Sequence, residues 1–245
     1  MKSLLAAVAF LTRIPVGRIT TFDAMDVARS SGWFPLVGAL LGALQGFAAT
    51  LLRNRLPLGV VAVLLIILDA LATGALHFDG LADAADGFGG GKNREDVLRI
   101  MRDHAIGSYG GVALAACVGL KVTAYAALLA QADWLAALIL IPVLGRWSIL
   151  LLTAALPYAR PSASPVAGMG KWQLVWGTTI IALSVVCAMS ARAGIAAAMV
   201  VVVTACFGMY CNRRIGGITG DTLGANVQLC ESAALLTFLW SGSAR

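Results

Sequence analysis

Charged residues are scarce in this sequence, at 12% of the chain, whereas soluble globular chains carry about 25%. Hydrophobic residues make up 60%, and the mean hydropathy is +0.87. A soluble fold of 245 residues would need more polar side chains to cover its surface. The shortage of charge therefore excludes an ordinary soluble domain and predicts an integral membrane protein.

The long apolar runs lack the alternation of polar and apolar residues that a membrane β-barrel requires. The runs "VVAVLLIIL" and "AAAMVVVVTACF" are continuously apolar. Because helices are the other structure that satisfies its own backbone in lipid, we predict an all-α, polytopic membrane helical bundle forming one domain over 1–245. About seven transmembrane helices are expected, at 34–52, 57–76, 107–130, 134–156, 172–190, 193–211 and 222–240.

Two spans have features of their own. Gly38, Gly42 and Gly46 place small residues on one ridge of the first span, which allows close helix packing. The 134–156 segment is interrupted by Pro142, Gly145 and Arg146 and is expected to be broken. The start of the chain resembles a signal peptide, but Arg13 and Pro15 occupy the cleavage region, so an uncleaved interfacial or re-entrant helix is predicted.

The chain also lacks a C-x-x-C pair, and its five cysteines fall in apolar stretches, which argues against zinc sites and disulfides. The net charge of +6 does not indicate nucleic acid here, because most Lys and Arg residues lie in loops. With the N-terminus in the cytoplasm, most of them fall on the cytoplasmic side. That orientation places 77–106, "PYARPSASP" and "GGITGDTLGAN" on one face, where the three loops can build one site.

The acidic residues are concentrated in one region. Half of the 12 acids lie between 79 and 103. Asp79, Asp83 and Asp86 are spaced i, i+4, i+7, which on a helix places them within about 60° of one another. Such like charges repel unless a cation holds them, and carboxylates suit Mg²⁺. We predict a catalytic metal centre here, the alternative being a solvated helix face.

A glycine run, Gly87 to Gly91, follows the aspartates. Bare backbone at Gly89 and Gly90, with Lys92 beside it, is predicted to approach a phosphate; a flexible loop is the alternative. The next segment, "NREDVLRIMRDHAIG", reads as a short amphipathic helix. In it Arg102 is a candidate phosphate contact or a partner for acids or lipid headgroups, and His104 a candidate general base or a packed histidine.

Charged residues within spans are functional candidates. Arg146 is predicted to face a carboxylate, a phosphate or a wet cavity, and Glu231 lies about three turns beyond Asp221. "GGITGD" repeats the glycine-and-acid pattern of the first site, so the segment with Asp221 is predicted to supply a further metal ligand or a phosphate contact. Together these features predict metal-assisted transfer of a phosphate-linked group at a cytoplasmic membrane face.

The sequence resembles the cobalamin synthase family, the adenosylcobinamide-GDP ribazoletransferases, nearly end to end. The 77–110 region is the most specific part of the resemblance. The matching segments are "FLTRIPVG" at 10–17, "WFPLVGALLG" at 33–42, "HFDGLADAADGFGGG" at 77–91, "RIMRDHAIGSYG" at 99–110, "GRWS" at 145–148 and "GGITGDTLGA" at 216–225.

The resemblance implies a Mg²⁺-dependent enzyme of the bacterial inner membrane. It would transfer adenosylcobinamide phosphate from adenosylcobinamide-GDP to α-ribazole or its 5′-phosphate and release GMP, with the ribose 3′-hydroxyl as nucleophile. Carried onto this chain, Asp79, Asp83 and Asp86 are the metal and pyrophosphate centre, Asp221 contributes, and Arg102, Arg146 and Arg160 contact phosphate. The expected partners are these substrates and membrane lipid, and a homo-oligomer is left open.

Three alternatives remain from the residues alone. "DAADG" begins like a CDP-alcohol phosphotransferase motif, but the rest of that pattern is missing. A prenyltransferase would need a second paired-acid motif, and "GGITGD" supplies one acid. A cation-coupled transporter would place its charges near the midplane of two related halves, and no such halves are evident.

Overall fold

The computed structural model describes residues 2–16, 21–103, 105–160, 169–188 and 190–240. These residues form α-helices joined by short connections, and within them the only β-type pairing is an isolated bridge between Tyr158 and Ile218. The helices are α1 (Lys2–Leu11), α2 (Ala24–Ser30), α3 (Phe34–Leu52), α4 (Leu58–Thr73), α5 (Leu76–Gly90), α6 (Arg94–Ile100), α7 (Ser108–Leu129), α8 (Trp134–Ala155), α9 (Lys171–Cys187), α10 (Ala191–Ile215) and α11 (Gly220–Leu239). The predicted all-α membrane bundle is confirmed.

The predicted count of seven transmembrane helices is not confirmed. Among the described residues, four helical segments are long and apolar enough to cross a bilayer, and the α4–α5 pair makes a fifth if it is one broken span. α9 has 17 residues and is shorter than the other candidates. α11 has Asn226, Gln228 and Glu231 along its length, which reduces its apolar character.

The helices pack closely where glycines remove side chains. On α3, a Cβ atom added to Gly42 would lie 2.7 Å from the Cα atom of Ile139 in α8, so these backbones are in direct contact. The ridge of small residues predicted in the first span is thus confirmed. α8 itself is one continuous helix through Pro142, so the expectation of a broken segment was wrong; tight packing on both sides supports the helix through the proline.

The chain turns by 92° between α4 and α5. Gly74 ends α4 in the left-handed conformation at φ 66°, and Ala75 follows at φ 57°. Ala75 is the only non-glycine residue with positive φ in the described part of the chain, a conformation that costs energy outside glycine. This strained corner ends the apolar span just before "HFDG" and starts α5 nearly perpendicular to α4.

α11 is the central helix, since it packs against α5, α7, α8 and α10 and its residues 222–228 are all buried. The short N-terminal helix α1 packs against α3, with Ala7 and Leu11 in the same apolar cluster as Phe34. Position of α1 at a membrane interface stays a prediction.

Candidate active site

A cavity of about 240 Å³ lies between the ends of α5 and α11. Its apolar lining residues come from α1, α8 and the starts of α5 and α11, and its polar lining residues come from α5, the segment after α8 and the start of α11. The lining residues are Phe10, Leu11, Leu76, His77, Asp79, Gly80, Ile149, Tyr158, Arg160, Gly220, Asp221, Leu223 and Gly224.

Two of the predicted loops are joined by backbone hydrogen bonds beneath this pocket. The Ala159 N–H donates to the Ile218 carbonyl at 2.7 Å, and the Ile218 N–H donates to Pro157 at 2.9 Å. Arg94 holds the same two segments together, because its guanidinium donates hydrogen bonds to the carbonyls of Ala159 and Ile215. The segments "PYAR" and "GGITGD" are therefore in contact. Asp79, from the acidic region, also lines the pocket.

Asp221 and Arg160 form the charged edge of the pocket. Arg160 Nη2 lies 3.0 Å from Asp221 Oδ2, and the Thr219 hydroxyl donates to the same oxygen at 3.2 Å. Burial raises the pKa of the Asp221 carboxyl above its usual value, although Arg160 and Thr219 act in the opposite direction. Asp221 lies in the first turn of α11, which does not qualify as an apolar span.

Asp79 stands close to Asp221 because two glycines let their helices touch. A Cβ atom added to Gly80 would lie 2.8 Å from the Asp221 carbonyl oxygen and 3.1 Å from the Cα atom of Gly224. The negative charge of Asp79 is one of the influences that raise the pKa of Asp221. The pocket thus holds two neighbouring carboxylates and one guanidinium.

The three aspartates of α5 share a helix face as predicted, but their surroundings differ. Asp79 is exposed at the pocket, Asp83 is half-buried, and Asp86 is buried. The Asp86 carboxylate accepts hydrogen bonds from the N–H groups of Gly107 and Gly110, at 2.7 and 2.9 Å, where α7 begins. This role is structural, since it satisfies N–H groups that a helix start leaves unpaired.

The predicted four-carboxylate metal centre is not assembled in the described residues, where no three Asp, Glu, His or Cys side chains stand close enough to hold one ion. Asp86 is directed to α7, whereas Asp79 and Asp221 share the pocket. Mg²⁺ is commonly bound by one or two carboxylates and completed by substrate phosphates. Asp79 and Asp221 fit that arrangement, and their metal role stays a prediction.

The glycine run is not a phosphate-binding loop in this structure. Gly89 and Gly90 form the last turn of α5, where backbone N–H groups bond within the helix, and the Gly91 N–H continues the pattern to Gly87 at 2.9 Å. The glycines make room for neighbours: a Cβ atom on Gly91 would lie 2.7 Å from the Cα atom of Val97. Gly89 and Gly90 are therefore helical and not part of a loop, and their contact with a phosphate stays a prediction.

The other predicted phosphate contacts lie apart from the pocket. Lys92 and Arg102 are exposed and do not line it. Arg146 is fully buried and bonds to Glu231, with Asp69 at 3.6 Å. Of the alternatives given for Arg146, the structure shows the carboxylate partner. His104 lies outside the described residues.

Arg146 belongs to a buried charge cluster, defined as Asp69, Lys121, Arg146 and Glu231. Lys121 Nζ lies 2.6 Å from Glu231 Oε2 and also donates to Gln228 at 2.6 Å. The cluster joins α4, α7, α8 and α11, and its two cations balance its two anions. It sits behind the pocket without lining it.

Sequence reasoning missed three parts of the pocket: His77, Tyr158 and the apolar wall from α1. The Tyr158 hydroxyl accepts a hydrogen bond from the Gly220 N–H at 3.1 Å. The signals were available, because His77 directly precedes the acidic helix and Tyr158 lies in the "PYAR" loop. Nothing in the local pattern, however, indicates that Phe10 and Leu11 reach the same place.

Comparison with known proteins identifies the family. The model of the cobalamin-5-phosphate synthase family matches residues 3–239. An adenosylcobinamide-GDP ribazoletransferase of Ralstonia nicotianae is 38% identical over 99% of this chain and 96% of its own. Proteins of the same name from Syntrophobacter fumaroxidans (37%; 92% of this chain, 93% of theirs) and Clostridium botulinum strain Langeland (34%; 98% of both) are also similar. No solved structure matches. The chain belongs to the cobalamin-5-phosphate synthase family.

Proposed function

We propose that this chain transfers adenosylcobinamide phosphate from adenosylcobinamide-GDP to α-ribazole or α-ribazole 5′-phosphate, releasing GMP. The observation that carries the proposal is the pocket in which Asp79, Arg160 and Asp221 converge, in a chain whose relatives are named for this reaction. The family match over 3–239 leaves the CDP-alcohol phosphotransferase, prenyltransferase and transporter alternatives without support.

The chemistry is a displacement at phosphorus. The 3′-hydroxyl of the acceptor's ribose forms a bond to the phosphorus that carries the cobinamide, and the bond from that phosphorus to the bridging oxygen breaks. GMP leaves with the bond's electron pair, and the hydroxyl proton passes to a base or to water. Catalysis of phosphoryl transfer depends chiefly on positioning and on neutralising charge.

Arg160 is the residue suited to the pyrophosphate. Its planar guanidinium binds phosphate oxygens in a bidentate manner, and Asp221 holds it at the pocket edge. When a phosphate arrives, Arg160 can bind it while keeping its contact with Asp221. The guanidinium thereby offsets the charge that builds on the oxygens.

Mg²⁺ is the proposed cofactor, with Asp79 and Asp221 as its protein ligands. When bound, it would neutralise charge on the pyrophosphate oxygens and align them. The two carboxylates are close neighbours on adjoining helix starts. Their mutual repulsion is a further reason for a cation between them.

The proposed location is the bacterial inner membrane, with the pocket on the cytoplasmic face. Support comes from the cations around the pocket, since Arg160 lines it, Arg94 bonds to the segment after α8 that builds it, and Arg214 bonds to the end of α5. Cytoplasmic loops are enriched in such residues. Nucleotide substrates would reach the pocket from the same side.

The test is GMP release by the purified protein in lipid nanodiscs given adenosylcobinamide-GDP, α-ribazole and Mg²⁺. Wild type should release GMP, and a chelator should stop it. Asp79→Asn should abolish most activity, whereas the matched control Asp133→Asn, an exposed acid outside the pocket, should retain it. Absence of GMP from the wild-type reaction would refute the proposal.

A further inference from the structure

Tyr158 brings to the pocket a hydroxyl group whose donor the fold leaves unused. Its side chain lines the cavity, as does Gly220. The phenolic oxygen accepts a hydrogen bond from the Gly220 N–H at 3.1 Å, at an exposed position. A phenol can accept one hydrogen bond and donate another, and no acceptor among the described residues takes the Tyr158 O–H. The proton of this hydroxyl is therefore available to a ligand.

The backbone directs Tyr158 and Arg160 toward the same cavity. Tyr158 pairs with Ile218 in a parallel bridge, and the Ala159 N–H donates to the Ile218 carbonyl beside it. In an extended segment successive side chains point to opposite sides, so residues two apart share a side. Ala159 is accordingly buried in an apolar cluster with residues of α6, whereas Tyr158 and Arg160 both line the pocket.

This short segment thus supplies two different hydrogen-bond donors to one cavity. Arg160 supplies a guanidinium, which lies 3.0 Å from the Asp221 carboxylate, and Tyr158 supplies a neutral O–H. The Gly220 N–H strengthens that O–H as a donor, because linked hydrogen bonds polarise one another. Both groups need an acceptor, and the oxygens of an ionised phosphate accept strong hydrogen bonds from such donors.

We propose that Tyr158 is a substrate-binding residue whose O–H donates a hydrogen bond to a phosphate oxygen of the pyrophosphate that Arg160 binds. This inference rests on the proposed function and adds a second, uncharged donor to its pyrophosphate site. The phenol keeps its proton throughout and shares it with the phosphate oxygen. Tyr158 therefore contributes to holding adenosylcobinamide-GDP and not to binding the acceptor.

Equilibrium binding of adenosylcobinamide-GDP to the full chain in lipid nanodiscs, with Mg²⁺ and without acceptor, tests the contact. Tyr158→Phe removes the hydroxyl and keeps the ring. The dissociation constant should rise about 10- to 100-fold, the effect of losing one hydrogen bond to a charged group. The melting temperature should stay near the wild-type value, because water can reach the exposed Gly220 N–H. The KM for α-ribazole, measured by GMP release, should be unchanged.

Tyr210→Phe is the matched control for this experiment. The Tyr210 hydroxyl also accepts a hydrogen bond, from Arg214 Nη1 at 2.9 Å, and Tyr210 does not line the pocket. The control loses the same atom and the same kind of contact at a distance from the proposed site. Its affinity for adenosylcobinamide-GDP should therefore stay at the wild-type level.

A double-mutant cycle with Arg160→Gln tests whether Tyr158 and Arg160 bind the same phosphate group. Each single variant should weaken the binding of adenosylcobinamide-GDP. The loss in the double variant should be smaller than the product of the two single losses, because contacts to one shared group depend on each other. Losses that multiply to within about twofold would place the two donors on independent groups and overturn the shared phosphate.

Unchanged affinity in Tyr158→Phe, or a loss no larger than that of Tyr210→Phe, would overturn the inference. A lowered melting temperature together with a raised KM for α-ribazole would also overturn it, since Tyr158 would then support the start of α11. In each case GMP release by the wild type would leave the proposed function standing. Failure of the wild type to bind adenosylcobinamide-GDP or to release GMP would instead remove the proposed function and the inference with it.

Discussion

Two groups of acids and bases in this molecule look alike in the sequence and differ in the structure. The pocket holds Asp79, Arg160 and Asp221 at a partly exposed edge. The buried charge cluster holds its four side chains at most 8% exposed, with the cations balancing the anions. Both would be read as functional in a membrane protein.

The difference between them shows which charges are available for chemistry. In the cluster, every charge faces an opposite charge within the protein, so a substrate would have to break a buried pair. In the pocket, two carboxylates face one guanidinium, which leaves an excess of negative charge and an opening. Exposure and charge balance, more than residue type, separate the catalytic candidates from the structural ones.

The largest effect is expected from breaking the cluster. Glu231→Gln leaves Lys121 and Arg146 opposite Asp69 alone, and an uncompensated buried charge costs about 3–5 kcal/mol. The folded fraction in detergent should collapse, as measured by size-exclusion chromatography and denaturant titration. Adding Lys121→Met should recover much of the loss, since Arg146 and Asp69 then balance. A stable Glu231→Gln single variant would show that the cluster does not hold the bundle together.

The next effect concerns activity without loss of fold. Asp221→Asn should lower kcat/KM about 10²- to 10³-fold, the scale for removing a group that stabilises transition-state charge. Its denaturation midpoint should not fall, because the carboxylate is already costly to bury. GMP release and the unfolding transition measure the two quantities. If activity and the denaturation midpoint fell together, Asp221 would have a structural role like that of the buried charge cluster, and the distinction between the two groups of charges would be wrong.

The contact between α5 and α11 should give an intermediate effect. Gly80→Ala introduces a Cβ atom against the backbone of Asp221 and Gly224, and overpacking of this kind costs about 1–3 kcal/mol. Activity should also fall, because the helices separate and carry Asp79 away from Asp221. Gly111→Ala is the control, as a Cβ atom there meets nothing within 4 Å; it should be neutral or slightly stabilising. Equal stability and activity of Gly80→Ala and Gly111→Ala would contradict the close contact between α5 and α11.

The smallest effect is a pH dependence at Asp221. Because burial raises the pKa of this carboxyl in the folded chain, protonation favours the folded state, and the stabilisation is lost as pH rises through the folded-state pKa. In chelator, wild type should melt slightly below Asp221→Asn at neutral pH. The gap in melting temperature should close on acidification, since Asn resembles the protonated acid. Wild type melting above Asp221→Asn at neutral pH would instead mean a lowered pKa and a carboxylate dominated by Arg160.

The extent of sequence-based prediction can be judged from particular residues. The bounds of α3 were obtained from apolar length alone, and the ridge at Gly42 from its spacing. The three aspartates were correctly placed on one helix face. Their separate roles were not, because Asp86 is committed to Gly107 and Gly110, residues that lie more than 20 positions along the chain. Arg160 and Asp221 were both named, yet their contact spans 61 residues and no local pattern encodes it.

By itself the sequence determined the membrane class, the helical character and the stretches that carry the chemistry, because hydropathy, backbone satisfaction in lipid and residue type are local properties. Only the tertiary structure decided which charges are buried and balanced, which glycines serve packing, and that Phe10 and His77 share a cavity with Asp221. Those outcomes depend on which helix faces meet, and helix packing joins residues far apart in the chain through contacts that have no local signature.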